Sequence, residues 1–187
     1  MRTGYKILLI TSLLTNFADN LIGSFYAVFV QKIGGSILDI GYTVTVYSIA
    51  TGILIILIGK ISDKWNKKMI TVLGLLFFAA GNFGYLMITH PYQLFILQIV
   101  FAVGSACLAA PLSALFAKFI QKENEGLQWA LDSGGSKIVV GIAVLIGTLI
   151  VSNLGFKALF IIMGTIQLVA AGIQMKLKVS GDDNSFK

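Results

Sequence analysis

The sequence predicts an all-α integral membrane protein built from six transmembrane helices. Apolar residues make up 57% of the 187-residue chain and charged residues only 12%, and the mean hydropathy is +0.89. Soluble domains contain about 25% charged residues. The apolar residues form runs of nearly 20 residues or more, and the charges fall between these runs. One cysteine, Cys107, excludes an intramolecular disulfide.

Six apolar segments have about the length needed to cross the hydrocarbon core of a membrane, for which roughly 20 residues suffice. The first continues well past the about 7–15 apolar residues of a signal peptide, so we expect it to be a retained helix. The predicted spans are about Ile7 to Val30, Gly41 to Ile58, Met69 to Thr89, Tyr92 to Phe119, Ala130 to Val151 and Phe156 to Met175.

The basic residues are distributed unequally between the two sides of these spans. One side contains only Lys32 and Lys157, whereas the other has Arg2, Lys6, the loop 59–68, Lys118, Lys122, Lys176, Lys178 and Lys187. By the positive-inside rule both termini are therefore predicted to be cytoplasmic. Residues 1–179 form one predicted bundle. The polar tail 180–187 has no apolar residues to bury except Phe186 and is predicted to be disordered.

Two glycine pairs suggest an internal repeat. Gly52 and Gly59 lie seven residues apart in the second span, as do Gly134 and Gly141 in the fifth. Each pair falls on one helix face, where it allows a neighbouring backbone to come close. This pattern favours a three-plus-three arrangement, the inverted repeat found within half of some transporters.

The loop between the second and third spans is the most distinctive motif. Its sequence, GKISDKWNKK, resembles the cytoplasmic signature of the major facilitator superfamily. The matching or substituted positions are Gly59, Asp63, Lys64, Asn66, Lys67 and Lys68. Asn66 replaces a glycine, and we expect it to adopt the left-handed conformation of a tight turn. The sequence GFKALF, which begins at Gly155, resembles the element that opens helix six in the same family.

The resemblance implies one six-helix half of a fold that normally has twelve helices. It also implies that Asp63 and the basic residues of the loop brace the cytoplasmic helix ends against the other half and stabilise the outward-open state. Val100 stands where many members have an arginine in helix four, and 143–147 lacks the glycine–proline pair of many antiporters. Proton coupling through that arginine, and antiport, are therefore not implied.

Asp19 is the leading candidate for a functional residue inside the membrane. It lies within the first span between Asn16 and Asn20, so these polar residues share one helix face. An ionisable group at membrane depth costs at least about 2.5–3.5 kcal/mol on insertion scales and usually faces a cavity or a partner. We expect all three residues to belong to a substrate or proton site. The alternative is a structural aspartate held by hydrogen bonds to its asparagine neighbours.

Lys137 is a second charge within a span, one turn from Ser133 and Ser136. It is a candidate for binding an anionic substrate group or for pairing with Asp19. The alternative is that its long side chain extends along the helix to reach water.

Two functions fit the sequence. The preferred one is a half-size secondary transporter of the plasma membrane, moving a small solute, with protons as a further candidate, together with a second copy of itself or a separate six-helix half. The alternative is a non-transporting bundle, or a fragment of a longer carrier, that serves as an interaction partner. No metal-binding cluster or nucleotide motif is present, so we expect no cofactor, no catalytic residues and no nucleic-acid partner.

Overall fold

The structure is a computed structural model in which residues 2–179 are described, with the backbone alone described at Ser24. Every regular element in this range is helical. The α-helices are α1 (Thr3–Ile22), α2 (Tyr26–Lys32), α3 (Ile37–Ser62), α4 (Lys67–Gly84), α5 (Gln93–Phe119) and α6 (Glu125–Met175). Short 3-10 turns follow α1 and α4 and precede α6. The predicted tail 180–187 lies outside the described residues.

Four of the described helices, α3 to α6, are long and apolar enough to cross a membrane. A fifth span results when α1 and α2 are taken together, and these two helices are bent by 45°. The bend was not predicted from the sequence, which favours one continuous first helix. It occurs at the 3-10 turn Gly23–Phe25, directly after the last turn of α1.

The fifth and sixth predicted spans both lie in α6, which is interrupted at Gly155. This glycine has φ 78° and ψ 177°, a conformation essentially restricted to glycine. Residues 128–147 run parallel to α1, since Tyr5 Oη donates to the Gln128 carbonyl oxygen and Gly147 abuts Leu21. Beyond Gly155 the chain returns, because Gln174 bonds to Thr71 near the start of α4. The two parts of α6 therefore form a helical hairpin.

The turn at the end of α3 corrects one prediction. Asn66 has φ −65° and ψ 104°, so it isn't left-handed. Its side-chain oxygen instead accepts hydrogen bonds from the backbone N–H groups of Lys68 and Met69, at 3.0 and 3.3 Å. Asparagine is favoured at this position because it satisfies donors that the first helical turn leaves unpaired. The residue is thus the N-cap of α4.

The predicted close contacts at the two glycine pairs, Gly52–Gly59 and Gly134–Gly141, are wrong within this chain. A Cβ atom on Gly52, Gly134 or Gly141 would meet nothing within 4 Å, and on Gly59 only a side chain at 3.8 Å. The close approaches occur elsewhere. A Cβ on Gly74 would lie 2.8 Å from the carbonyl oxygen of Gly104, which brings α4 against α5, and Gly147 brings α6 against α1.

The main apolar core lies between α1, α4, α5 and the second part of α6, and α3 packs chiefly on α5. A smaller core at the opposite end of the bundle joins the start of α1 to the end of α5 and to Leu177. The membrane-length window of α3 has no buried residues, so this helix forms an outer wall.

Candidate functional site

A cavity of about 260 Å³ opens inside the bundle beside Asp19. Residues from α1, α2, α3, α4, α5, α6 and the turn after α4 form its walls. They are Asp19, Ile22, Tyr26, Val44, Tyr47, Phe78, Asn82, Tyr85, Gln98, Phe101 and Met163. Asp19 is the one charged side chain among these described lining residues. The cavity thus combines a carboxylate with a largely aromatic wall.

A hydrogen bond from another helix holds the Asp19 side chain in place. Its Oδ1 atom accepts a hydrogen bond of 2.8 Å from Nε2 of Gln167, a fully buried residue in the second part of α6. Asp19 lies in the last turn of α1, directly before the 3-10 turn Gly23–Phe25. No basic residue occupies that turn. The described lining residues thus include one acidic side chain and no basic one.

A second polar chain crosses the cavity between three helices. Nε2 of Gln98 donates to Oη of Tyr26 at 2.8 Å, and Tyr26 donates to Oγ1 of Thr43 at 2.9 Å. Thr43 in turn donates to the backbone carbonyl of Asp39 at 2.8 Å. These bonds fix the Tyr26 ring beside the bend that follows α1. The hydroxyl end of the ring is thereby positioned at the cavity wall.

Asn82 is the least satisfied polar group of the wall. It is 0% exposed, and neither its Oδ1 nor its Nδ2 atom has a hydrogen-bond partner. Leaving such a group unpaired costs about 1–3 kcal/mol. The neighbouring Tyr85 is fixed by stacking on Phe160, with ring centroids 4.6 Å apart and 17° between the planes. Asn82 is therefore a free donor and acceptor beside a rigid ring.

The two asparagines predicted with Asp19 lie on α1 but make other contacts. Asn16 donates to the Ser12 carbonyl at 2.9 Å and to Oγ of Ser136 on α6 at 3.3 Å. Asn20 donates to the Asn16 carbonyl at 2.8 Å. In the described part of the chain, neither amide donates to Asp19, and neither residue lines the cavity. The Asn16 amide thus joins α1 to the first part of α6, and the Asn20 amide bonds within α1.

Lys137 is exposed on the surface of α6, away from the cavity wall. Among the ion pairs of residues 2–179 it is not joined to Asp19. The structure therefore brings Asp19 together with Gln167 and Asn82 rather than with Lys137.

The signature loop lies at the same end of the bundle as the N-terminus and the end of α5. Nζ of Lys67 donates to the Ser62 carbonyl at 2.9 Å and lies 3.9 Å from Oδ1 of Asp63. The Asp63 side chain is 79% exposed, against 30% for Lys67. Lys67 thus closes the turn, while the Asp63 carboxylate faces outwards.

Sequence reasoning missed Asn82 and Tyr85. The sequence contains one indication of Asn82, which is the one side-chain amide inside the third predicted span, 69–89. The contacts of two glutamines, Gln98 and Gln167, show whether each is an interhelical or a cavity group. Gln98 is both, and Gln167 is an interhelical donor to Asp19.

These features define a helical integral membrane protein whose helices form a mainly apolar cavity that contains one acidic side chain. The profile of the Major Facilitator Superfamily matches residues 8–181. The chain belongs to the Major Facilitator Superfamily, as the signature loop and GFKALF predict.

Three relatives illustrate the match. The chain is 24% identical to an uncharacterized MFS-type transporter of Methanocaldococcus jannaschii, over 92% of this chain and 45% of the relative. It is 32% identical to an uncharacterized transporter of Buchnera aphidicola, over 73% of this chain and 34% of the relative. It is 28% identical to the inner membrane transport protein YajR of Escherichia coli, over 68% of this chain and 28% of the relative. The alignments cover less than half of each of these relatives.

Proposed function

We propose that the chain is a six-helix transport unit that moves a small solute by alternating access together with a second six-helix unit. The observation that carries this proposal is the cavity beside Asp19, a carboxylate-containing site lined by several helices of a chain that belongs to a transporter family. In such folds the solute lies near the membrane midplane while two bundles rock around it.

The six crossings of this proposal follow from helix direction. The bent pair α1 and α2 forms the first, α3, α4 and α5 the next three, and the hairpin at Gly155 divides α6 into the last two. Successive crossings would place Arg2, the loop 59–68 and Lys176 on one side, which the positive-inside rule assigns to the cytoplasm. The two sets of three helices would form the inverted repeat.

The proposed second unit would cover α3 and the first part of α6. Gly52 on α3 and Gly134 and Gly141 on α6 are exposed and have open space around them. Small residues let helices of another bundle come close in a membrane. With both termini on one side, two copies of the chain can lie parallel around a common axis normal to the membrane. A separate six-helix half would use the same faces.

Cysteine cross-linking tests this assembly. In a Cys107→Ser background, Gly52→Cys or Gly141→Cys should give disulfide-linked dimers in native-like membranes if two copies associate. Gly172→Cys is the matched control, because Gly172 is also exposed and open but lies on the second part of α6. Equal cross-linking at all three positions, or none at any, would count against a specific dimer of this chain.

Transport is tested with the chain reconstituted in proteoliposomes. Asp19→Asn should abolish pH-dependent solute movement if this carboxylate exchanges protons, because asparagine keeps the shape and removes the titrating group. Glu123→Gln neutralises an exposed carboxylate outside the cavity and is the control. Unchanged pH dependence in Asp19→Asn would exclude the proton role.

The place of Lys137 in this mechanism is a separate proposal. If Lys137 approaches Asp19 in another conformation, exchanging the two charges should restore activity lost in either single variant. Additive losses would indicate that Lys137 acts alone, either on an anionic group or in water at the membrane surface.

The second candidate function is a non-transporting bundle, or part of a longer carrier, that binds a partner. The observation that favours it is the short coverage of the relatives, 45%, 34% and 28%. Native mass spectrometry separates the two: a stable monomer that moves no solute in liposomes would support this candidate.

A further inference from the structure

We infer that the cavity beside Asp19 binds a small organic cation of the ammonium class that also carries a hydrogen-bonding group such as a hydroxyl. This inference assigns a substrate class to the cavity of the proposed transporter. It rests on the proposed function only for the claim that the ligand is transported. Binding itself can be tested without transport.

The charge of the ligand follows from the electrostatics of the wall. Asp19 contributes the one carboxylate among the described lining residues, and neither lysine, arginine nor histidine is among them. An anionic ligand would find no basic partner here, whereas an ammonium group would find a carboxylate to pair with.

The aromatic wall favours an organic cation over a bare metal ion. Tyr26, Tyr47, Phe78, Tyr85 and Phe101 all line the cavity. Aromatic faces attract alkylammonium groups, and several rings around one cation form the usual cage for such ligands. Metal ions instead need several oxygen ligands. Within the described residues, no group of three histidine, cysteine or acidic side chains could hold a metal.

Asn82 supplies the second point of recognition. Asn82 lines the cavity, and both polar atoms of its amide are buried without a hydrogen-bond partner. A ligand hydroxyl can donate to Oδ1 or accept from Nδ2, which would recover the free energy lost on burying this amide. The volume of about 260 Å³ lies just below the usual range of small-molecule sites, about 300–1,000 Å³, which restricts the ligand to a compact molecule.

Choline and its analogues form a matched set of probes. Choline has a quaternary ammonium and a hydroxyl. In 3,3-dimethylbutan-1-ol a carbon replaces the charged nitrogen, so shape and hydroxyl are kept while the charge is lost. The anion 3,3-dimethylbutanoate reverses the charge. Binding of each is measured by isothermal titration calorimetry on the full chain in lipid nanodiscs, with empty nanodiscs as the blank.

The expected result is a separate effect of each side chain. Wild-type protein should bind choline more tightly than the neutral alcohol, and it should not bind the anion. Asp19→Asn should weaken choline binding by about 30-fold or more and leave the alcohol unchanged. Asn82→Leu should weaken both by about tenfold or less, because one hydrogen-bonding partner is lost. Glu123→Gln, the charge-matched control, should bind like wild type.

Several results would overturn the inference: equal binding of choline and the neutral alcohol, unchanged choline binding in Asp19→Asn, preference for the anion, or no choline binding at all. Thermal unfolding checks that each variant is folded, and Asn82→Ala replaces Asn82→Leu if the latter is not. Choline binding without transport would overturn the transport function alone. Transport of another solute without choline binding would overturn only this inference.

Discussion

The contact between Gly147 and Leu21 provides a sharp test of the packing around the site. A Cβ atom on Gly147 would collide with the backbone carbonyl group of Leu21, and its third contact, Leu21 Cα, is at 3.1 Å. Backbone atoms cannot rotate away as a flexible side chain can. Leu21 is also only two residues from Asp19, so displacing it would disturb the cavity wall. We therefore expect Gly147→Ala to destabilise the bundle and weaken ligand binding.

The magnitude follows from a matched pair of substitutions on one helix. Overpacking typically costs about 1–3 kcal/mol. At Gly141, where a Cβ atom meets nothing within 4 Å, alanine should instead stabilise the helix by up to about 1 kcal/mol. The free energies of unfolding of Gly147→Ala and Gly141→Ala should therefore differ by about 1–4 kcal/mol. Unfolding by SDS in mixed micelles, followed by circular dichroism, measures this difference. Equal stabilities would refute the close approach of α6 to α1.

Three further substitutions test local features of the chain. Gly155→Ala should lower the free energy of unfolding by about 1–3 kcal/mol, because alanine is strained at φ 78°, ψ 177°, and the same SDS titration will show no loss if the reversal is misplaced. Asn66→Ala should cost about 1 kcal/mol by removing the N-cap of α4, whereas Asn66→Asp should keep most of the stability; identical losses would argue against capping. Asp63→Ala should change stability by less than about 0.5 kcal/mol, since its contact with Lys67 is long and exposed. If it also leaves the cross-linking yield of Gly141→Cys unchanged, the loop acts only as a topology signal.

Features that depend on composition and local chemistry could be predicted from the sequence. The signature loop and GFKALF indicate the family, and the family profile confirms it. Asp19 attracts attention because an ionisable side chain within an apolar segment is costly. The structure places Asp19 in a cavity wall, in agreement with that argument. Its assignment as a substrate or proton site stays a prediction.

Features that depend on which helices become neighbours could not be predicted. Glycine spacing identifies a helix face but not what lies against it, so the pairs Gly52–Gly59 and Gly134–Gly141 were given contacts that Gly74 and Gly147 make. Asn82 matters because it lines the cavity and its buried amide has no partner. Both facts depend on the five surrounding helices rather than on the segment 69–89. Lys137 and Asp19 are both charges within spans, yet helix rotation places them apart.

Radiolabelled choline uptake into proteoliposomes tests most directly whether the Asp19 cavity is a transport site. Choline carries a permanent charge and crosses bilayers slowly, so the background is low. Vesicles with wild-type protein or Glu123→Gln should exchange internal unlabelled choline for external label, and vesicles with Asp19→Asn should match protein-free vesicles. Equal exchange by Asp19→Asn and wild type, or none by wild type, would contradict a cation transport site at Asp19.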